Sequence, residues 1–196
     1  TTVGYGPRFL HSTGQLHKGD DGSGLFIQFV AESASEVPVP DEADLPSNLQ
    51  SLFRKAKENL GFVPNVFRQY AYRPERFSAW FSHFLPLHEP TPNLGRADRE
   101  MVAVVVSQAN RCTYCLVSHG HDLRAALGDP VLADHIAFNW RTADLDERQR
   151  AICAYVDKLT VTPNEVDRAD LERLLAVGLT QEEVWDVVEL TRMYAV

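Results

Sequence analysis

From Val37 onward the sequence predicts an all-α protein, and three observations carry that expectation. Apolar residues recur at spacings of three and four, as a helix with one buried face requires. Glycines, prolines and capping residues mark the ends of most of those periodic stretches. No stretch of alternating apolar and polar residues competes for a strand in this region.

The segments follow in order. Leu49, Leu52, Phe53 and Ala56 mark a helix that ends at Leu60-Gly61, where glycine can take the left-handed conformation that closes a helix. Pro64-Asn65 starts a short helical piece. Pro74 opens another, with Phe77, Trp80, Phe81 and Phe84 along one face. PLHEPTPNLG, residues 86–95, holds three prolines and one glycine and reads as a loop. RADREMVAVVVSQAN, residues 96–110, carries acidic residues in its first turn, where they favour the positive end of the helix dipole. Its valines are β-branched, but so long a run without a turn signal suits a buried helix better than a strand.

The next helix stops at Gly128-Asp129-Pro130. Two amphipathic helices follow, one from Asp146 to about Thr160 and one from Asp167 to Val177. After Gly178, Thr180 and Glu183 form a capping box ahead of an apolar run. The terminal LTRMYAV ends on apolar residues without a cap, which predicts a shortened last helix.

Residues 1–36 are different. They are rich in glycine and histidine and GLFIQFVA reads as a β-strand; SEVPVPDEADLP, which begins at Ser35 and runs to Pro46, follows with the proline and acid content of a linker or extended arm. The predicted organisation is therefore an atypical N-terminal extension and linker over 1–36 and a helical domain over 37–196.

Composition removes several functions. The chain has 196 residues, a formal charge of −8 and a pI near 5.3, so it lacks the basic balance with which proteins neutralise nucleic acid or anionic membrane. No window is apolar enough for a membrane span, and TTVGYGPRF lacks the order of a secretory signal, so a cytoplasmic location is expected. Three cysteines are too few and too odd a number for a disulfide framework.

The chemistry concentrates in SQANRCTYCLVSH. On a helix, Cys112, Cys115 and His119 lie three and four residues apart and share one face. A helix dipole and a nearby imidazole lower a thiol pKa, so at least one thiol is expected well below the unperturbed value of about 8.5. His119 is then a candidate base, and Glu100 in the preceding helix a candidate to orient it. Two other readings stand beside this one. A zinc site needs four ligands, for which His121 and Cys153 are only isolated candidates, and a buried pair of structural thiols needs nothing further.

Glu100, Cys112, Cys115 and His119, with the intervals between them, resemble the core pattern of the alkylhydroperoxidase D family within the carboxymuconolactone decarboxylase superfamily. LGFVPNVFRQYAYRPERFSAW and REMVAVVVSQANRCTYC are similar to its peroxidase-related branch, over residues 37–196. The resemblance implies an all-helical, oligomeric protein that needs neither cofactor nor metal. It implies that Cys115 attacks a hydroperoxide, Cys112 resolves the product into a disulfide, Glu100 and His119 relay protons, and a thiol or dithiol protein returns electrons. Tyr114 stands where the best-studied members carry a histidine, which leaves the relay to Glu100 and His119. GPRFLHSTGQLHKG resembles a segment near the carboxyl end of bacterial glucose-6-phosphate isomerases, and no activity follows from so short a match.

The alternative is a redox-sensing or scaffold oligomer of the same fold. A decarboxylase of the wider superfamily has no use for a dithiol. Elsewhere, Cys153 is expected in the core, Trp80, Phe81 and Phe84 in the core or a subunit interface, His83 and His88 at the surface or, being near the proline-rich loop, bordering a substrate entrance, and Trp140 and Trp185 in packing roles.

Overall fold

The computed structural model describes residues 40–195, so the strand expected at GLFIQFVA and the rest of the 1–36 segment lie outside the described residues. Among the described residues there are nine α-helices and no strand: α1 Ser47–Leu60, α2 Asn65–Tyr70, α3 Pro74–Phe84, α4 Arg96–Ala109, α5 Thr113–Leu127, α6 Pro130–Asn139, α7 Glu147–Val161, α8 Arg168–Ala176 and α9 Gln181–Tyr194. Four short 3₁₀ turns join them, one of which, Pro86–His88, falls inside the expected proline-rich loop.

Helix α4 is the axis of the domain. Every residue from Asp98 to Ser107 is buried, with α5, α7, α9 and α6 packed around it. The β-branched run Val104-Val105-Val106 is helical despite its propensity, because helical geometry lets its valines meet apolar neighbours on all sides. Leu123, Ile136, Ile152, Val156, Leu174, Val187 and Leu190 complete this core. A second cluster joins Leu49 and Phe53 of α1 to Phe77 of α3, with Phe67, Trp80 and Phe81 against it.

The expected stops and starts are realised. Gly61 and Gly128 have φ of 80° and 68°. Helix α6 is an addition to the sequence reading. Asp129 caps it by accepting from the N–H groups of Val131 and Leu132, both at 3.0 Å, and Pro130 occupies its first turn. Its periodicity is hidden because the segment is apolar on several faces, with Ile136 buried and Phe138 78% exposed.

The capping box of α9 does more than start a helix. Glu183 Oε2 accepts from the Thr180 N–H at 2.9 Å, while its carboxylate also accepts from Thr91 Oγ1 at 2.6 Å and from the Asn93 N–H and Nδ2 at 3.0 and 3.1 Å. Burial alone raises this carboxyl, but the hydrogen bonds from Thr180, Thr91 and Asn93 outweigh it and hold the group at about 2. A folded-state pKa below the unfolded one contributes stability that is present above the unfolded pKa and is lost as pH falls through the folded value. Glu183→Gln is therefore expected to cost about 2–3 kcal/mol at pH 7 and to weaken the acid dependence of unfolding between about pH 4.5 and 2, as followed by urea titration at several pH values.

Candidate active site

The dithiol lies on a turn that closes one helix and opens the next. Helix α4 ends in a pair of cap bonds: the Arg111 N–H donates to the Gln108 carbonyl at 3.0 Å and the Cys112 N–H to the Ser107 carbonyl at 2.9 Å. That pattern needs a left-handed residue between Asn110 and Cys112, and Arg111 supplies it at φ 56° although it is not glycine. Cys112 has extended backbone and is the N-cap of α5, and its Sγ accepts from the Cys115 N–H at 3.3 Å. Cys112 is thus a cap and not a helical residue, a refinement of the expectation that all three motif residues stand on the helix. The short turn sends α5 back along α4, which brings Glu100 opposite His119.

That juxtaposition is the one expected. Glu100 Oε2 and His119 Nδ1 are 2.9 Å apart, on side chains 9% and 17% exposed. An ionised carboxylate only accepts, so Nδ1 carries the proton and Nε2 is left as the basic nitrogen. One helical turn separates Cys115 from His119 on α5, so the sulfur and the imidazole share a face.

The thiol electrostatics differ from the sequence expectation. Burial, then the hydrogen bond and charge of Cys112, push the Cys115 thiol up to about 11, while its own backbone N–H and the Ser107 hydroxyl act in the opposite direction. The Cys115 N–H, in the first turn of α5, also donates to Cys112 Sγ. Cys153 is fully buried in α7 and is pushed up to about 12 by burial, the core position expected of it.

Three further side chains belong to the site. Ser107 lies two turns after Glu100 on the same face of α4, a spacing visible in the sequence. Tyr194, at the end of α9, sets its ring edge-on to His119, with centroids 4.6 Å apart and planes at 74°. His88, expected at the surface, is part-buried and hydrogen-bonded through Nε2 to the Tyr194 hydroxyl and through Nδ1 to the Phe84 carbonyl at 2.9 Å. Only tertiary packing joins residues 88, 119 and 194, so no sequence signal announced the group. His83 is exposed, as expected, and pairs with Glu189 at 3.0 Å. Tyr114, at the first turn of α5, is 49% exposed.

Among the described residues, Glu100, His119 and Asp122 bring potential metal-ligand atoms within 4.8 Å of one another, without either motif cysteine. Each is already engaged: Glu100 with His119, and Asp122 with His121 Nδ1 at 3.1 Å. This is the geometry of hydrogen-bonded pairs. The arrangement as a whole can remove a proton from a half-buried thiol, hold it on an imidazole and return it, with a second sulfur adjacent.

Residues 74–158 match the Carboxymuconolactone decarboxylase family. No curated protein matches. Among solved structures, the chain is similar to an uncharacterized peroxidase-related protein from Ralstonia eutropha JMP134, described as an alkylhydroperoxidase AhpD core, at 38% identity and a TM-score of 0.76 over 84% of this chain and 86% of that one. It is similar to an uncharacterized peroxidase-related protein from Silicibacter sp. TM1040 at 37% identity and a TM-score of 0.75, over 83% and 84% of the two chains. The debrominase Bmp8, in complex with 2,3,4-tribromopyrrole, shares the fold at 21% identity and a TM-score of 0.67 over 83% of this chain and 86% of that one, so the fold also serves other chemistry. The match over α3 to α7, the identity to two AhpD-like structures along most of their length and the all-helical architecture together make this chain a member of the carboxymuconolactone decarboxylase family, in its AhpD-like, peroxidase-related group.

Proposed function

We propose that this chain is a thiol-dependent peroxidase that reduces hydroperoxides through a Cys112/Cys115 dithiol–disulfide cycle. The observation that carries the reading is the Glu100–His119 pair on the helix face that bears Cys115, one turn from a second sulfur. His119 Nε2 takes the Cys115 thiol proton, and the imidazolium is held against the Glu100 carboxylate. The sulfur attacks the terminal peroxide oxygen, the O–O bond breaks, and the departing alkoxide takes the proton back as an alcohol. Cys115 is left as a sulfenic acid. The Cys112 sulfur then displaces hydroxide from it, forming the S–S bond, and its own thiol proton completes a water molecule. A thiol or dithiol protein supplies the two electrons and two protons that reopen the disulfide.

The same reading makes the protein a cytoplasmic homo-oligomer. Free dithiols persist in the reducing cytosol, and Phe62, Tyr72, Phe138 and Trp185 are exposed apolar side chains of the kind that association of copies covers. The elevated Cys115 thiol favours one alternative, a redox-sensing oligomer that oxidises slowly and does not turn over. Treatment of the reduced protein with one equivalent of cumene hydroperoxide, followed by peptide mapping, tests the cycle. The expected product is a Cys112–Cys115 disulfide with Cys153 still a free thiol. A dithiol that stays reduced, or that oxidises no faster than Cys153, overturns the reading.

A further inference from the structure

We propose that His88 and Tyr194 are positioning residues of the thiol centre: Tyr194 braces the His119 ring and, by donating its hydroxyl proton to His88 Nε2, keeps His88 neutral so that the positive charge formed during turnover resides on His119. The inference rests on the peroxidase reading and goes beyond it, because neither residue belongs to the four-residue pattern of glutamate, two cysteines and histidine.

The hydrogen bonds fix the protonation state. His88 Nδ1 faces the Phe84 carbonyl at 2.9 Å, and a carbonyl only accepts, so Nδ1 carries the proton. Nε2 of a neutral imidazole is then an acceptor, and the group in front of it is the Tyr194 hydroxyl. The phenol is matched to that task. Burial, then the Glu100 and Asp122 carboxylates, push its ionisation up, so it remains a donor at every working pH.

The surroundings of His88 act in the same direction on balance. Burial favours its neutral form most strongly, helped by the charges of His119 on α5 and Arg99 on α4, while the Phe84 carbonyl and Glu100 on α4 oppose them. The net effect holds His88 below the ordinary histidine range.

The position of the pair makes this matter. Tyr194 is wedged between the two imidazoles, edge-on to His119 at 4.6 Å on one side and bonded to His88 on the other. The Phe84 ring covers His88 with centroids 4.1 Å apart, and Asn110 Nδ2 donates to the Tyr194 carbonyl at 3.4 Å, which joins the end of α9 to the turn that carries Cys112. A second cation here would repel the His119 imidazolium on which the transferred proton rests. Neutral His88 avoids that conflict. Once His88 is protonated, Nε2 becomes a donor, the Tyr194 hydroxyl must turn away, and the His119 imidazolium is disfavoured.

The expected signature is a pair of opposite shifts. Tyr194→Phe keeps the ring against His119 but removes the donor that favours neutral His88, so His88 should protonate at higher pH. His88→Gln removes the titrating group. In stopped-flow reduction of cumene hydroperoxide by the full chain, the acid limb of the pH–rate profile is expected to move up by at least about half a unit in Tyr194→Phe and to move down or flatten in His88→Gln. Histidine ring NMR of the same proteins without peroxide provides an independent readout. The expected result is an Nδ1-protonated, neutral His88 at pH 7 whose titration midpoint rises in Tyr194→Phe. If wild type consumes no peroxide, the peroxidase reading fails and the NMR titration still decides the pair. An unchanged His88 titration in folded Tyr194→Phe, or acid limbs that shift in the same direction in both variants, overturns the inference.

Discussion

Arg99→Met is expected to destabilise the domain by about 3 kcal/mol or more, read as a fall in the urea unfolding midpoint. The Arg99 side chain is 1% exposed, on the central helix α4. Its guanidinium donates from Nη1 to the Leu87 carbonyl at 2.6 Å, from Nε to the Leu94 carbonyl at 3.3 Å and from Nη2 to Asp186 Oδ2 at 2.8 Å. Methionine fills much of the volume but bonds to none of them. Two carbonyls of the proline-rich loop are then left unpaired, and an uncompensated buried acceptor costs its desolvation in full. Asp186 adds less, because it is 30% exposed and water can replace part of its partner. Arg99→Lys preserves the charge but cannot reach three acceptors at once, so a smaller loss of about 1–2 kcal/mol is expected. A loss below about 1 kcal/mol for Arg99→Met would show that the loop carbonyls find other partners. The loop also carries His88, so the same guanidinium that stabilises α4 against α9 holds one side of the site in place.

Local chemistry makes most of the helices legible in the sequence. Gly61, Pro74, Gly128 and the Thr180/Glu183 box are instructions carried by single residues, and each is realised where it stands. The exception, α6, follows from the same logic in reverse. Gly128-Asp129-Pro130 is both a stop and a start, and a segment such as PVLADHIAFN, apolar on several faces, offers no stripe from which to count a period. At α4 the β-branched valines pointed locally toward a strand, and the length of the run, which reflects total burial, decided correctly for a helix.

The site divides along the same line. Glu100 and His119 meet because a short turn folds α5 back on α4, and their positions on either side of that turn were already visible in the chain. The contribution of α9 and the 86–95 loop was not. Residues 88, 119 and 194 converge only through packing around α4, and His88 had no local feature to separate it from an exposed histidine. At Cys115 the thiol is pushed up, against the expected direction, for a related reason. A CxxC at a helix start predicts a favoured thiolate, but which sulfur receives the first-turn N–H depends on the cap geometry, and here the left-handed Arg111 turns Cys112 into the cap.

The most direct measurement of the account is the rate at which pre-reduced protein consumes cumene hydroperoxide, with and without the Cys115 sulfur. Serine at position 115 retains the size and a hydrogen-bonding group but is a far weaker nucleophile toward the O–O bond, and Cys112 alone lacks a position one turn from His119. The His119 base then has no thiol proton to take, so the loss is of the reaction itself and not of peroxide binding. Stopped-flow measurement is expected to give a fast phase in wild type that removes one peroxide per chain, slowed by at least about a thousandfold in Cys115→Ser. Equal rates in the two proteins would contradict the account, because the peroxide would then be reacting somewhere other than the dithiol.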